Sequence, residues 1–484
     1  MSDKWVFKNS TYSVLQTIVT AIIALIVFKV MVVHVGLKIT GLWSYLASIT
    51  AITGFGSYGF ANALLFYIPK YKLNNDPQKL NSLINTTILS SFLFTTILCV
   101  ISYVVFILII PSTVDQNLIV LSYRILPFVI LSFLFSGVSA SFLFILDGLM
   151  LMHVRAKIYM AASIVFLVCG ILLILKMGIL GIAIAQVIQN LVLLILSFIL
   201  VKKNIKSYRF AFEFKKIIFK STFKFGFNFQ IISITQIISE PFMKSMITKF
   251  AGSEVTAMFD FCVKLLSLFR NLIIAANQTI VPQITIFKVK GHLQRLILYY
   301  RANFSLILFL GVIFFLSPII FDDSISLFFL NQRNEVFNFI LINVSFAYLA
   351  NSIAIPAHFH NVGTGKLKWN VINNIVAAFI ILISSPLLGK FVGGKYIIVG
   401  WAFSAIIAAM ILIASFSREN HITILSFFNL NIVKLLGAMA ISFIICKYLD
   451  NVLTFNNSLL AMTLIKFIVL FVCLFYPVVT NPTF

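Results

Sequence analysis

Charged residues are scarce in this sequence. Only 10% of the 484 residues are Asp, Glu, Lys or Arg, whereas a soluble domain carries about 25%. Hydrophobic residues make up 61% of the chain, and the mean hydropathy is +1.08. This composition leaves too little polar surface to cover a water-soluble globule, so it excludes a soluble fold. It predicts an all-α polytopic membrane protein, because an open strand edge cannot be satisfied in lipid.

Acidic residues are the scarcest charged group. There are 13 of them against 36 Lys and Arg, which gives a net charge of +23. In a soluble protein such an excess would suggest nucleic-acid binding. Here most of the basic residues lie in short loops between apolar runs, a pattern typical of membrane orientation. We therefore expect no nucleic-acid partner.

Signatures of enzymatic chemistry are also lacking. The sequence has no recognisable nucleotide-binding loop, metal-ligand cluster or nucleophile triad. We interpret the cysteines as small buried hydrophobes, because none is spaced as a metal pair. The sequence therefore predicts no catalytic residue, no metal site, no cofactor and no enzymatic activity. The five cysteines are Cys99, Cys169, Cys262, Cys446 and Cys473.

Long apolar runs dominate what is present. A transmembrane helix needs about 20 mostly apolar residues. The first run is too long for a signal peptide and lacks a small-residue cleavage site, so we expect it to remain as the first span. In all, we predict fourteen spans: 11–35, 40–68, 83–110, 118–146, 156–175, 178–201, 226–248, 254–285, 302–321, 336–357, 370–389, 396–416, 431–449 and 457–479.

The basic residues alternate between the loops that join these spans. With a cytoplasmic N-terminus, 23 Lys and Arg lie on the cytoplasmic side and 7 on the other side. Positive residues favour cytoplasmic loops, so this asymmetry places both termini in the cytoplasm. The densest basic stretch, residues 202–224, joins the sixth and seventh spans. We call it the basic linker; either it binds anionic lipid as an amphipathic surface segment or it only anchors the topology.

An internal repeat relates the two halves of the chain. The stretch "GLKITGLWSYLA" begins at Gly36, and "GSEVTAMFDFCV" begins at Gly252, an offset of 216 residues. Six spans separate the copies, so the halves share one orientation in the membrane. We predict two pseudo-symmetric six-helix bundles, residues 1–215 and 216–425, followed by two additional transmembrane helices in residues 426–484.

Several ionisable residues lie inside the predicted spans. Each costs about 2.5–3.5 kcal/mol at the bilayer centre. Most should therefore face the protein interior or water. Away from the first and last few residues of the spans they number six bases and two acids: Lys29, Arg124, Glu240, Lys244, Asp260, Lys264, Arg270 and Lys466.

Two interpretations of these charges are open. Glu240 with Lys244, and Asp260 with Lys264, are spaced i,i+4 with the acid first, which is the favourable order for ion pairs on a helix. Such pairs would be structural. They leave an excess of positive charge in a low-dielectric region, which favours an anionic ligand. Lys29, Arg124 and Lys244 lie close enough to the ends of their spans to snorkel.

At this point the chain resembles the Wzx-type polysaccharide flippases of the multidrug/oligosaccharidyl-lipid/polysaccharide (MOP) flippase superfamily. The resemblance lies in the opening "KNSTYSVLQTIVTAIIALIVFKVMVVHVGLKITGLWSYLASI" and in its second-half partner, which extends through "ANQTIVPQI". It implies two six-helix bundles around a central cationic cavity. It further implies transport of an oligosaccharide linked to undecaprenyl diphosphate from the inner to the outer leaflet of the bacterial cytoplasmic membrane, in lipopolysaccharide and O-antigen biosynthesis.

The resemblance also suggests roles for the intramembrane charges. Lys264 and Arg270 are the expected core of the pyrophosphate site, and Glu240 and Asp260 are the expected charge partners or exchangers of protons or sodium. The further basic contributors are Lys29, Arg124 and Lys244. The expected partners are the lipid-linked oligosaccharide, membrane lipids and other polysaccharide-assembly proteins of the membrane. We expect the protein itself to be a monomer.

Two other functions are compatible with parts of the sequence. A cation-coupled multidrug exporter of the same superfamily would need an acidic cavity for cationic drugs, whereas these spans carry net positive charge. A polysaccharide polymerase or glycosyltransferase would need a large outer loop with catalytic groups. The outer loops here are short, and only Asp322 and Asp323 offer paired acids.

The predicted topology can be tested with reporter fusions. Fusions after Lys79, Lys216 and Phe484 should report a cytoplasmic position, and fusions near Asp115 and Asp323 an external one, because the basic residues alternate in that order. An external reading at Phe484 would overturn the span count.

Overall fold

A computed structural model describes most of the chain. The described residues are 3–48, 76–205, 208–209, 211–278, 290–364, 366, 368–420, 430–452 and 464–470, with residues 64, 67, 68, 71, 284, 287, 288 and 422. They form helices and connecting turns, with no strand among them. This confirms the predicted all-α class. The chain divides into two compact units, Met1–Ala257 and Met258–Phe484.

The first unit is built from long helices. α1 bends at Gly36, and α2 begins with Pro77 in its first turn, behind the Asp76 side chain that caps the Lys79 amide. The helices are α1 (Asp3–Ala47), α2 (Pro77–Thr113), α3 (Gln116–Gly148), α4 (Met152–Met177), α5 (Ile179–Asn204) and α6 (Lys216–Ala251).

The next helix, α7 (Ser253–Gln278), begins in the first unit and continues into the second. A π-helical turn, Val312–Leu316, and a 3₁₀ turn, Gly394–Tyr396, interrupt the helices of the second unit. Residues 464–470 are also helical. The second unit further contains α8 (Leu293–Gly311), α9 (Ser317–Ile320), α10 (Asp322–Leu330), α11 (Glu335–Ile353), α12 (Ile355–Thr364), α13 (Lys368–Phe391), α14 (Ile397–Asn420) and α15 (Leu430–Val452).

Nine stretches of helix within the described residues are long and apolar enough to cross a membrane. The predicted break between the fifth and sixth spans is confirmed: α4 ends at Met177 and α5 begins at Ile179. Parts of the second and fourteenth predicted spans lie outside the described residues. The total of fourteen, and the bundle boundaries at residues 215 and 425, stay predictions.

Polar contacts join loops that the predicted topology places on one side. Lys38, after the first span, forms an ion pair with Asp115, after the third, at 2.6 Å. Ser82, before the third span, donates to Glu213, before the seventh, at 2.9 Å. The alternation of spans is thus consistent with the described contacts. Three further pairs obey it: Asn9 with His153, Lys366 with Glu419, and Lys447 with Asp322.

The repeated stretches share one backbone conformation. Gly36 has φ 80° and ψ 165°, and Gly252 has φ 88° and ψ 167°, a region that is essentially restricted to glycine. Four residues later, the Thr40 hydroxyl donates to the Gly36 carbonyl at 2.8 Å. Thr256 does the same to Gly252 at 3.2 Å. The sequence match therefore extends to the local geometry, while superposition of the complete halves stays a prediction.

Close packing accompanies this turn in the first unit. A Cβ atom on Gly41 would lie 1.5 Å from the backbone oxygen of Ser253, so α1 and the start of α7 touch through their backbones. The hydroxyls of Thr248 and Thr256 lie 2.9 Å apart and join the end of α6 to α7. Glycine at position 41 is therefore required by the approach of a neighbouring backbone.

Gly41→Ala should destabilise the protein by about 1–3 kcal/mol or more, because the new methyl group has no space. The measurement is the thermal aggregation midpoint of the purified protein in detergent. Gly437→Ala is the control, since a Cβ atom there meets nothing within 4 Å. Equal midpoints for the two variants would contradict the close contact.

Candidate functional site

Five of the eight intramembrane charges lie on two consecutive helices. α6 carries Glu240 and Lys244, and α7 carries Asp260, Lys264 and Arg270. Both are long helices in which polar residues interrupt the apolar sequence. The charged residues of α6 and α7 differ in their burial and contacts.

The α6 pair is an ion pair with one buried end. Lys244 Nζ lies 3.0 Å from Glu240 Oε1, and the Lys244 side chain is 5% exposed against 50% for Glu240. Pro241 lies inside the helix directly after the acid and removes one backbone donor there. The base is therefore buried and the acid lies toward an accessible surface.

The α7 pair has the opposite arrangement. Lys264 Nζ lies 2.6 Å from Asp260 Oδ2, and here the acid is 5% exposed and the lysine 38%. Both predicted i,i+4 pairs therefore form. At Asp260 the buried charge is negative and the ammonium group remains accessible, so a ligand approaching this pair would meet the positive partner first.

Arg270 is held differently. One terminal nitrogen donates a long hydrogen bond of 3.4 Å to Asn351 Oδ1 on α11, and Tyr348 and His358 lie near enough to interact electrostatically. Its Nε is buried and has no hydrogen-bond partner among the described residues. A buried donor left in this way costs about 1–3 kcal/mol. Arg270 is thus a partly buried cation whose described hydrogen-bond partner is neutral.

The two remaining predicted site residues are on other helices. Lys29 is partly buried in α1, and Arg124 is exposed in the third turn of α3. The exposure of Arg124 fits a side chain that snorkels from the end of its span. The structure therefore gathers Lys264 with Asp260, and Lys244 with Glu240, whereas the roles of Lys29 and Arg124 in binding stay predictions.

Lys466 has a structural role. Its side chain is almost fully buried, and Nζ donates to the backbone oxygen of Ile320 at 3.1 Å. That carbonyl lies at the end of α9, just after the π-helical turn, where a helix leaves backbone acceptors unsatisfied. This base therefore contributes to helix capping inside the membrane.

Asp322 and Asp323 also have structural partners. Lys447 of α15 donates to both carboxylate oxygens of Asp322, at 3.2 and 3.0 Å. Asn338 donates to Asp323 at 2.7 Å. Spacing alone did not reveal these contacts; the only available signal was that two adjacent acids are rare in such a chain. They fasten α15 and α11 to α10.

Polar uncharged residues also lie on α6 and α7, and the side chains of some of them are described. Asn277 accepts a hydrogen bond from Asn303 at 2.7 Å and donates to the Ile273 carbonyl at 2.9 Å, so it joins α7 to α8. Ser239 is buried. The side chains of Gln230, Ser233, Thr235, Gln236 and Gln278 lie outside the described residues.

Comparison with known proteins places this arrangement in context. A family model described as "Polysaccharide biosynthesis protein" matches residues 6–288, more than half of the chain. No curated protein matches the sequence. Solved structures with similar folds share little sequence identity with this chain, and the structural similarity covers most of it.

The lipid II flippase MurJ, in an inward closed conformation, is 16% identical with a TM-score of 0.73, covering 97% of this chain and 100% of its own. An inward-facing multidrug resistance MATE transporter of the MOP superfamily is 12% identical, with a TM-score of 0.67 and coverage of 83% and 94%. A MOP superfamily transporter from Pyrococcus furiosus, described as having a binding pocket of reverse polarity, is 13% identical, with a TM-score of 0.55 and coverage of 86% and 96%.

These likenesses show that the chain has the fold of the MOP superfamily. They confirm the resemblance inferred from the sequence, together with the all-α multi-pass architecture. At such identities they establish the fold and not the ligand.

The Asp260–Lys264 pair provides a test of whether this ion pair stabilises the protein. Lys264→Ala should lower the level of folded protein in the membrane, because Asp260 would lose this ion pair and breaking a buried pair costs about 3–5 kcal/mol. The double variant Lys264→Ala/Asp260→Asn should restore much of that level, since it removes both charges. Detergent-solubilised protein measured by fluorescence-detected size exclusion gives the comparison. Equal losses in the single and double variants would contradict a stabilising pair.

Proposed function

This chain belongs to the polysaccharide biosynthesis protein family, and from that membership we propose that it is a flippase for a lipid-linked oligosaccharide. The proposed substrate is an O-antigen or similar repeat unit attached to undecaprenyl diphosphate. It would move from the inner to the outer leaflet of the bacterial cytoplasmic membrane by alternating access. MurJ, whose fold is similar, is named as a flippase for lipid II.

The observation that carries this proposal is the state of Arg270. It is a partly buried cation inside a membrane-spanning fold, its described hydrogen bond goes to the neutral Asn351, and its Nε donor has no partner among the described residues. A guanidinium group presents several donors in a fixed plane and binds phosphate oxygens in pairs. A diphosphate would supply both the negative charge and the acceptors that Arg270 lacks.

Lys264 adds a second positive charge on the same helix. It lies six residues before Arg270, about 9 Å along the helix axis at a rise of about 1.5 Å per residue. Its ammonium group stays accessible while Asp260 is buried beneath it. In the proposed cycle Asp260 neutralises Lys264 when the site is empty, and the diphosphate competes for the lysine when the substrate binds.

The two acids are the proposed coupling groups. Glu240 and Asp260 each neutralise a lysine, so protonation or cation binding at either acid would release a base toward the substrate. Exchange of a proton or sodium ion at one of them would link transport to an ion gradient. No resident cofactor enters this proposal.

The charge of the described residues favours an anionic substrate over a cationic drug. The charged residues of α6 and α7 well inside the predicted spans are three bases and two acids, and both acids are already paired. A multidrug exporter with cationic substrates would need free acids at this position. A polysaccharide assembly role also agrees with the family description.

The proposal predicts the behaviour of Arg270 variants in a strain that lacks the gene. Arg270→Ala should abolish or greatly reduce surface polysaccharide, and Arg270→Lys should restore part of it, because lysine keeps the charge but loses the paired geometry. Lys264→Ala/Asp260→Asn should also be defective. The comparison requires equal protein levels in the membrane. Accumulation of lipid-linked oligosaccharide on the cytoplasmic side is the second readout.

Arg333 offers a matched control, since it is an exposed arginine in the turn between α10 and α11. Arg333→Ala should leave the polysaccharide unchanged. Normal polysaccharide in both Arg270→Ala and the Lys264 double variant would refute the anion site. A deletion strain with normal polysaccharide but raised drug sensitivity would instead support the exporter.

A further inference from the structure

The basic linker is held in place by α2. Asn85 donates to the backbone oxygen of Arg209 at 3.0 Å, and the Thr86 hydroxyl donates to the backbone oxygen of Glu213 at 3.3 Å. The amide of Lys215 in turn donates to the Thr86 hydroxyl at 3.2 Å. These contacts span linker residues 209–215 and both side chains lie on adjacent positions of one helix. The described part of the linker therefore has a defined path along α2.

Side-chain contacts strengthen the same attachment. Ser82 donates to Glu213 Oε1 at 2.9 Å, and Lys215 Nζ donates to Ser82 Oγ at 2.7 Å and pairs with Glu213 at 3.0 Å. The Tyr208 ring is buried, and burial raises the pKa of its hydroxyl to about 12. Both ends of the described linker segment are thus fastened to the first unit.

Large apolar side chains of the same segment are nevertheless exposed. Phe212 is 84% exposed and Ile217 is 85% exposed, the highest values among the exposed large hydrophobic residues described, and Phe214 is 49% exposed. A segment that is merely a polar connection has no need for such residues. Hydrogen bonds hold the backbone of this segment, so Phe212 is exposed in the folded protein. An exposed side chain of this size indicates a surface that contacts an apolar environment.

The charge of the segment is strongly positive. Residues 202–224 contain eight Lys and Arg and a single acid, Glu213. Hydrogen bonds from Lys215 and Ser82 lower the pKa of Glu213, so this acid stays ionised and its charge is neutralised by Lys215. The remaining described bases include Arg209, Lys216 and Lys220, all exposed.

The position of the segment completes the pattern. α5, a membrane-spanning helix, ends at Asn204, and α6 begins at Lys216. The linker therefore lies at the boundary where α5 leaves the hydrocarbon. At the start of α6, Lys216 and Lys220 are one turn apart, and Ile217 lies between them on the exposed side. Apolar residues flanked by lysines at this level are typical of segments that lie in the headgroup layer.

We infer that the basic linker is a lipid-binding surface, which inserts Phe212 and Ile217 into the headgroup region and binds anionic phospholipids through Lys216, Lys220 and Arg209. The anionic surface supplies the complementary charge, and the acyl boundary supplies the apolar environment. An acidic protein partner would complement the lysines but would leave the two apolar residues without a hydrocarbon phase. This inference is independent of the transported substrate.

The test uses the full-length protein in lipid nanodiscs of phosphatidylcholine, with or without phosphatidylglycerol. Spin labels are attached at Phe212→Cys or Ile217→Cys in a variant whose native cysteines are replaced by alanine. Power saturation then compares accessibility to oxygen, which partitions into lipid, with accessibility to a water-soluble nickel complex. We expect both labels to favour oxygen, and the preference to increase with phosphatidylglycerol. Arg333→Cys, in an exposed turn, should favour the nickel complex in both lipids.

The contribution of charge is tested with Lys216→Gln/Lys220→Gln, which should remove the increase with phosphatidylglycerol at position 212. Lys390→Gln/Lys395→Gln, which changes two exposed lysines at the end of α13 and in the 3₁₀ turn after it, should leave it unchanged. Preference for the nickel complex at both labels in either lipid would overturn the inference. If the labels are shielded from the nickel complex only in native membranes, a protein partner covers the segment, and the inference is overturned as well. An oxygen preference that is equal in the two lipids and insensitive to the glutamine variants would overturn the binding of anionic lipid.

Discussion

A charge inside a lipid bilayer is stable only with a partner, and this constraint determines much of what the described residues do. The two acids well inside the predicted spans, Glu240 and Asp260, each form an ion pair with the lysine one turn later. Lys466 reaches a backbone carbonyl at a helix end. Arg270 differs because its buried Nε has no hydrogen-bond partner among the described residues. This difference is the basis for proposing Arg270, and not the paired groups, as the residue that binds a ligand.

The backbone is under a related constraint, since the polar groups at a helix end also need hydrogen-bond partners. The chain solves this twice in the same way, at Gly36 and Gly252. A glycine conformation ends the first helix of each pair, and a threonine hydroxyl four residues later bonds back to the glycine carbonyl. The close approach of Gly41 to Ser253 then brings the two repeated turns into contact. The repeated stretches therefore satisfy a backbone carbonyl at each turn and also reflect the internal repeat of the chain.

The proposed substrate of this member of the polysaccharide biosynthesis protein family is an anionic lipid, and the charges of α7 fit that proposal. The basic linker extends this logic to the membrane surface. Its lysines are the same residue type as Lys244 and Lys264, but they are exposed at the end of a span, where a negatively charged headgroup layer is the nearest partner. Burial, and not residue type, distinguishes the two uses.

Composition and periodicity were sufficient to predict the helical membrane fold, the separation of α4 from α5 at Gly178 and the two i,i+4 ion pairs, because these depend on residues close together in the chain. The repeat between Gly36 and Gly252 could be predicted because it is a match between two short stretches of sequence. Long-range partners could not be predicted in this way. Only the tertiary structure decided that Lys447 binds Asp322, that Lys466 caps Ile320, that Asn351 receives Arg270 and that α2 holds the basic linker. Each joins residues more than 80 positions apart, and sequence spacing has no information on which distant helix packs beside a given side chain.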